Sequence, residues 1–229
     1  MCGRFTFNAS PELLVEIFRL AETPVTTPRF NIAPTQQVPV IRQYADGENH
    51  LDHLRWGFIP SWAQDISIGS KMINARSETV TEKPAFKRAV RYRRCVVPSS
   101  GFYEWQQEGK AKLPWYIRLK DGSPMVFAGL WETWKSPEGE VDSFTILTTT
   151  ANRLVEPLHD RMPVILHPDE YRTWLDRNTR DLAGLVQLFQ PYPADLMEMY
   201  AVSPMVNSVK NESADLILAD DDTAILDIG

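Results

Sequence analysis

The residue of this chain with the richest chemistry within reach is Cys2, which follows the initiator methionine directly. Its side chain is small enough for the cellular aminopeptidase to remove Met1, and removal turns an ordinary thiol into a 1,2-aminothiol. The amine can condense with an aldehyde to an imine, and the thiolate can close on the imine carbon to give a five-membered thiazolidine. Both groups suit neutral pH: an α-amino group titrates at about 7.7–8.0 against about 10.4 for lysine, and a free thiol near 8.5. The competing reading is that a cysteine at position 2 is an accident of translation.

Two other residues offer proton chemistry. Glu104 stands among aromatic residues in Gly101-Phe102-Tyr103-Glu104-Trp105, and strand alternation sends Phe102, Glu104 and Gln106 to one face and Tyr103 and Trp105 to the other. A glutamate sharing a face with Phe102 is expected to be partly desolvated, which would raise its pKa towards general-acid range; the alternative is an exposed strand glutamate. His159 lies in Leu158-His159-Asp160-Arg161-Met162-Pro163, flanked by an acid and a base, and functional and structural readings of it stay open. Trp62 is a stacking surface or a core plug. Cys95 reads as a small buried hydrophobe.

These residues need a scaffold. Ser10-Pro11-Glu12 supplies an N-cap, a first-turn proline and an acid, and Leu13, Leu14, Ile17 and Phe18 follow at helical spacing, so a helix is expected over 11–21. Residues 23–39 read as an extended loop. Strands are expected at 2–7, 37–41, 50–56, 95–98, 101–105, 114–119, 125–134, 143–150 and 200–204. Asp46-Gly47, Asp121-Gly122 and Pro137-Glu138-Gly139 read as hairpin connections. Short helices are expected over 84–93, 168–177 and 179–189. About nine strands against four or five helices, with no repeat and no linker, point to an α+β fold: one domain over 1–229 with a curved, barrel-like antiparallel sheet, peripheral helices and an acidic tail from about 212.

Composition narrows the function classes. The 229 residues are 43% hydrophobic and 24% charged, values of a globular chain. No apolar run approaches the roughly 20 residues that span a bilayer. No basic region followed by an apolar stretch opens the chain, so a cytoplasmic location is expected. Two cysteines make neither a disulfide framework nor a metal site. The net charge of −6 disfavours bulk attraction to nucleic acid but conceals an asymmetry, with 17 basic and 11 acidic residues in 1–120 against 7 and 19 in 121–229. Lys83, Lys87, Arg88, Arg91, Arg93 and Arg94 fall within a dozen residues. That cluster either tracks a phosphate backbone or forms a solvated helix face.

Taken together and in order, Met1-Cys2-Gly3-Arg4-Phe5, Phe30-Asn31-Ile32-Ala33-Pro34, Arg55-Trp56-Gly57, Ile73-Asn74-Ala75-Arg76-Ser77-Glu78, Gly101 to Trp105 and His159 to Pro163 resemble the SRAP family of SOS response-associated peptidases, or abasic-site processing proteins. The resemblance runs from residue 2 to about 211. It implies a sensor of abasic sites in single-stranded DNA, with no cofactor or metal, acting as a monomer associated with the nucleoid. Met1 would be lost by self-processing or to an aminopeptidase, and Cys2 would form a thiazolidine crosslink that shields the lesion, with lyase or crosslink-reversal chemistry alongside. It implies Cys2 as nucleophile, Asn74 as holder of Cys2 and the sugar, and Glu104 and His159 as proton carriers. Arg4, Arg76 and Arg161 match phosphate contacts, Trp105, Trp62 and Pro34 stacking or wedging surfaces, and Asn31 and Thr148 polar contacts to DNA. The basic stretch 83–94 would lie beside the groove.

Two readings compete. A cysteine N-terminal-nucleophile amidotransferase explains Cys2 but leaves the Glu104 and His159 blocks idle; glutamine hydrolysis would favour it. A non-catalytic single-strand-binding module would bind DNA reversibly with or without Cys2.

Overall fold

The structure, a computed structural model, describes residues 2–109 and 111–220. Its first half carries β1 (Phe5–Phe7), α1 (Pro11–Phe18), β2 (Arg29–Ile32), β3 (Gln37–Gln43), β4 (Asn49–Trp56), β5 (Asn74–Arg76), α2 (Ala89–Tyr92) and β6 (Arg94–Ser99). The second half carries β7 (Gly101–Glu108), β8 (Ala111–Leu119), β9 (Met125–Ser136), β10 (Gly139–Thr150), β11 (Arg161–Pro163), α3 (Tyr171–Leu175), α4 (Leu182–Gln187) and β12 (Met197–Ala201). The fold is α+β, as expected, and its barrel is closed: β10, β4, β3, β6 and β9 are neighbours in that order, and β9 pairs back onto β10. The β10–β4 pairing is parallel and the others in the ring are antiparallel.

Burial explains why these strands read as apolar runs. All six residues of β6 are buried, as are Met125 to Leu130 of β9 and Ser143 to Thr149 of β10, the pattern of strands covered on both faces. The cover on one side is a second antiparallel sheet in the order β12-β8-β7-β1-β2. Phe5 of β1 joins the layers, its ring centroid 5.0 Å from that of Trp56 and 5.9 Å from that of Phe127. Two glycines of the motif blocks are required by close approaches. A Cβ on Gly57, at φ +129°, would stand 2.6 Å from the Gly69 carbonyl oxygen, and one on Gly101 would stand 2.4 Å from the Tyr116 ring.

Several expectations are corrected. Residues 29–32 form β2, because their backbone pairs with β1. Asp121-Gly122 is a crossing between sheets rather than a hairpin, since β8 pairs with β7 and β12 while β9 pairs with β6 and β10. Helix α1 stops at Phe18, where Arg19 turns left-handed at φ 51°. Only Ala89–Tyr92 of the expected 84–93 helix is α-helical. There are twelve strands among the described residues, β5, β11 and β2 being too short to carry a periodic signal. The start of the expected acidic tail is packed. Glu212 accepts the N–H groups of Phe30 and Asn31 and pairs with Arg29, and Leu216 is buried among Tyr103, Tyr116 and Tyr200. Asp221 and Asp222 lie outside the described residues.

Candidate functional site

The site grows from the pairing of β1 with β7, where Phe5 stands opposite Phe102. The Tyr103 N–H donates to the Arg4 carbonyl at 3.0 Å, which zips the chain's beginning along β7 and towards Glu104. Cys2 is wholly buried. Burial first, and the negative charge of Glu104 second, push its thiol far above the ordinary 9.0, while the Arg4 N–H hydrogen bond pulls the other way. Glu104 itself is 5% exposed, so the expected desolvated glutamate is found. β5 supplies the clamp: Asn74 Nδ2 donates to the Cys2 carbonyl at 2.8 Å.

β10 organises the other wall. Its last residues pair with β11 on one register and with β5 on another, so that Thr148 faces both Arg76 and Pro163. This brings His159 and Arg161 towards β5, and an open cleft of about 570 Å³ is lined by Arg4, Glu104, Trp105 and His159, together with Gln107, Lys112 and Asn207. His159 Nδ1 accepts the Arg161 N–H at 2.9 Å, and Asp160 Oδ1 lies 2.7 Å from the same nitrogen. A neutral ring protonated on Nε2 satisfies the first contact, and a ring protonated on Nδ1 satisfies the second. Nδ1 therefore has a partner in either tautomer.

Arginine sets the rim. Arg4 lies 5.7 Å over the Trp105 ring and donates through Nη1 to Asn31 Oδ1 at 2.6 Å and to the Val206 carbonyl at 2.8 Å. Partial burial lowers its pKa. Trp105 donates through Nε1 to Asn207 Oδ1 at 2.6 Å, which fixes the indole plane against the cleft.

Other expected contacts stand differently. Asn31 and Thr148 have no exposed surface. Asn31 spends its amide on the carbonyls of Val206, Ser208 and Asn211 while its oxygen holds Arg4; the Thr148 carbonyl accepts from Arg161 at 2.5 Å. In this structure they position arginines. Arg161 is 8% exposed and its guanidinium is bidentate to Glu78, which holds that carboxylate below its ordinary range. Its fork for phosphate is thus already taken. Arg76 is exposed at the end of β5, Pro34 is half-buried, and Trp62 is 62% exposed, which rules out a core plug; none of the three lines the cleft. Within the basic stretch, Arg93 pairs with Glu132, and Arg94 is buried and donates to the carbonyls of Trp174, Val90 and Arg91. Gln107, Lys112, Asn207 and Glu78 escaped the sequence reading of the site. Lys112 is legible in hindsight, since a β7–β8 hairpin sets it opposite Gln107, whereas nothing local marks Asn207.

The model of the SOS response associated peptidase (SRAP) family matches residues 1–209. The chain belongs to the SRAP family. Among curated SRAP relatives, it is 45% identical over 223 residues to the abasic site processing protein YoqW of Bacillus subtilis, covering 95% of this chain and 99% of that one. It is 31% identical to the abasic site processing protein YedK of Escherichia coli, with the same coverage. The abasic site processing protein HMCES of Xenopus tropicalis is 33% identical over 84% of this chain and 66% of its own length. A solved protein from Bacteroides thetaiotaomicron superposes with a TM-score of 0.84 at 25% identity, covering 96% of this chain and all of that one. No helix among the described residues is long and apolar enough to cross a membrane.

Proposed function

We propose that this SRAP protein captures abasic sites in single-stranded DNA as a monomer, through a thiazolidine between Cys2 and the aldehyde of the ring-opened deoxyribose. The reading is supported by one arrangement above all: a buried Cys2 clamped at its carbonyl by Asn74, next to the charge of Glu104, below a cleft shared by Glu104 and His159. Its relatives named abasic site processing proteins support it independently.

Removal of Met1, by self-processing or an aminopeptidase, frees the Cys2 amine. The sugar's cyclic hemiacetal opens when a base takes the C1′ hydroxyl proton and an acid protonates the ring oxygen, a division of labour open to Glu104 and His159. The amine adds to the aldehyde carbon, the carbinolamine loses its hydroxyl as water with one proton delivered, and an imine forms. The sulfur then adds to the imine carbon while the thiol proton passes, by way of the neighbouring carboxylate, to the imine nitrogen. One carbon–nitrogen and one carbon–sulfur bond form and one water leaves. The raised thiol pKa has a use here: burial first, and the charge of Glu104 second, hold Cys2 as a neutral thiol until the imine is in place, and Glu104 is the carboxylate placed to take the proton. Reversal runs the same protons backwards: the carbon–sulfur bond breaks to return the imine, and water adds to the imine carbon to release the amine and the aldehyde. The exposed Arg76 and the half-buried Arg4 are the phosphate-facing cations, with Trp105 as the base-stacking surface.

The deciding experiment is the intact mass of processed protein after incubation with an oligonucleotide bearing one abasic site. A heat-stable adduct short of one water, lost in Cys2→Ala and absent while Met1 is retained, is the expected result. No adduct with processed wild-type protein sinks the proposal.

A further inference from the structure

A second surface has the makings of a nucleic-acid site, and it shares no lining residue with the catalytic cleft. Arg88 just before the short helix α2, Arg91 within it, and Arg177 and Arg180 after α3 are all exposed, and tertiary packing brings these two distant segments together. Between them and the β3–β4 turn lies a groove of about 240 Å³ lined by Tyr44, Tyr92, Arg177, Asn178 and Arg180. Tyr92 is 45% exposed, and the Arg180 guanidinium stands over its ring, 4.8 Å from the centroid.

Several of the neighbouring acids are paired with arginines outside the patch. Glu132 is taken by Arg93, while Asp52 and Asp142 are taken by Arg42. Asp176 accepts the Asn178 N–H and the Thr179 hydroxyl. Asp46 and Glu48 flank Gly47, which lines the groove, and the Asp46 carboxylate accepts the Glu48 N–H. The arginines lie close enough to act on one another: burial first, then Arg88 and Arg177, lower the pKa of Arg93 against the pull of Asp142, and Arg180 adds to the burial that lowers Arg94 against the pull of Asp176. In a chain of net charge −6, so local a positive field has a function to explain.

We infer that the surface formed by Arg88, Arg91, Tyr92, Arg177 and Arg180 is a second, non-catalytic binding site for the nucleic-acid backbone, holding a stretch of the same DNA outside the lesion cleft. Arginine forks match phosphate oxygens, and an exposed tyrosine already in contact with a guanidinium offers a platform for a base. An anionic lipid surface fits less well, since the patch lacks the apolar face that an interfacial element inserts. The inference rests on the abasic-DNA reading, and the site would add affinity for longer strands by raising the effective concentration at the cleft.

The test compares processed wild type with the triple variant Arg88→Glu, Arg177→Glu, Arg180→Glu, both checked for equal thermal midpoints, with the milder Arg→Gln triple as a second variant. Each is titrated with undamaged single strands of about 6 and about 30 nucleotides across a salt series, and each is assayed for adduct with a short abasic oligonucleotide. The expected result is that wild type binds the long strand at least tenfold more tightly than the short one, and that the variants lose this gain and flatten the salt slope by about 2, near 0.7 per lost phosphate contact. Short-strand adduct formation stays at the wild-type rate. Equal long-strand affinity and slope in variants and wild type overturns the inference, as does patch-dependent sedimentation with anionic vesicles while DNA binding is unmoved. Failure of the adduct in wild type reports on the cleft proposal alone.

Discussion

Asn74 divides its amide between two tasks: Nδ2 holds the Cys2 carbonyl, and Oδ1 is buried with no partner among the described residues. An orphaned acceptor beside the nucleophile costs about 1–3 kcal/mol unless something fills it, and a freed Cys2 ammonium or a sugar hydroxyl would do so. Glu104 has a dual effect that mutation can separate. Its charge raises the Cys2 pKa, and its carboxylate is the proposed proton acceptor. Glu104→Gln should therefore lower the thiol pKa, read from thiolate absorbance against pH, and yet slow adduct formation by one to two orders of magnitude in single-turnover assays. Binding of an uncleavable analogue should hold. If thiol pKa and adduct rate stay as in wild type, Glu104 is structural.

At the scale of elements, the cleft wall is held by a strap. The loop after β12 is fixed to β2 by the Asn31 amide, and Glu212 secures the next stretch by accepting from Phe30, Asn31 and Arg29. Because the same loop carries Val206, which accepts from Arg4, and Asn207, which orients Trp105, the strap sets the rim on which DNA would lie. Glu212→Ala should cost about 1–2 kcal/mol in denaturant titration, at the low end for charged hydrogen bonds because the carboxylate is one-third exposed. It should also speed amide exchange at Phe30 and Asn31. Unchanged exchange there would show that the strap is passive.

For the molecule as a whole, the buried titratable groups set an alkaline limit. Burial raises Cys2 and Cys95 from an ordinary 9.0, and Tyr103 and Tyr116 from 10.0. The folded state then keeps protons that the unfolded chain releases, so their stabilisation is complete below about pH 9 and is lost as pH rises through the unfolded values towards the folded ones. The urea midpoint should fall steadily between about pH 9 and pH 11. A flat midpoint across that range would mean that these groups are reached by water before unfolding.

Local rules made much of this legible from the amino-acid order alone. Ser10 caps α1 through its hydroxyl, the Asp46-Gly47 turn closes β3 onto β4, and Pro137 to Gly139 closes β9 onto β10, because capping and turn chemistry act within a few residues. Alternation in β7 likewise marked the desolvated Glu104, and the ordered motif blocks named the family. Tertiary structure alone decided the parallel pairing of β10 with β4 that completes the ring, the crossing at Asp121-Gly122, and which arginines are already engaged. Glu78 meets Arg161 across 83 residues and Asn207 meets Trp105 across 102. Such pairings depend on how whole strands stack, and no periodicity of either segment carries them.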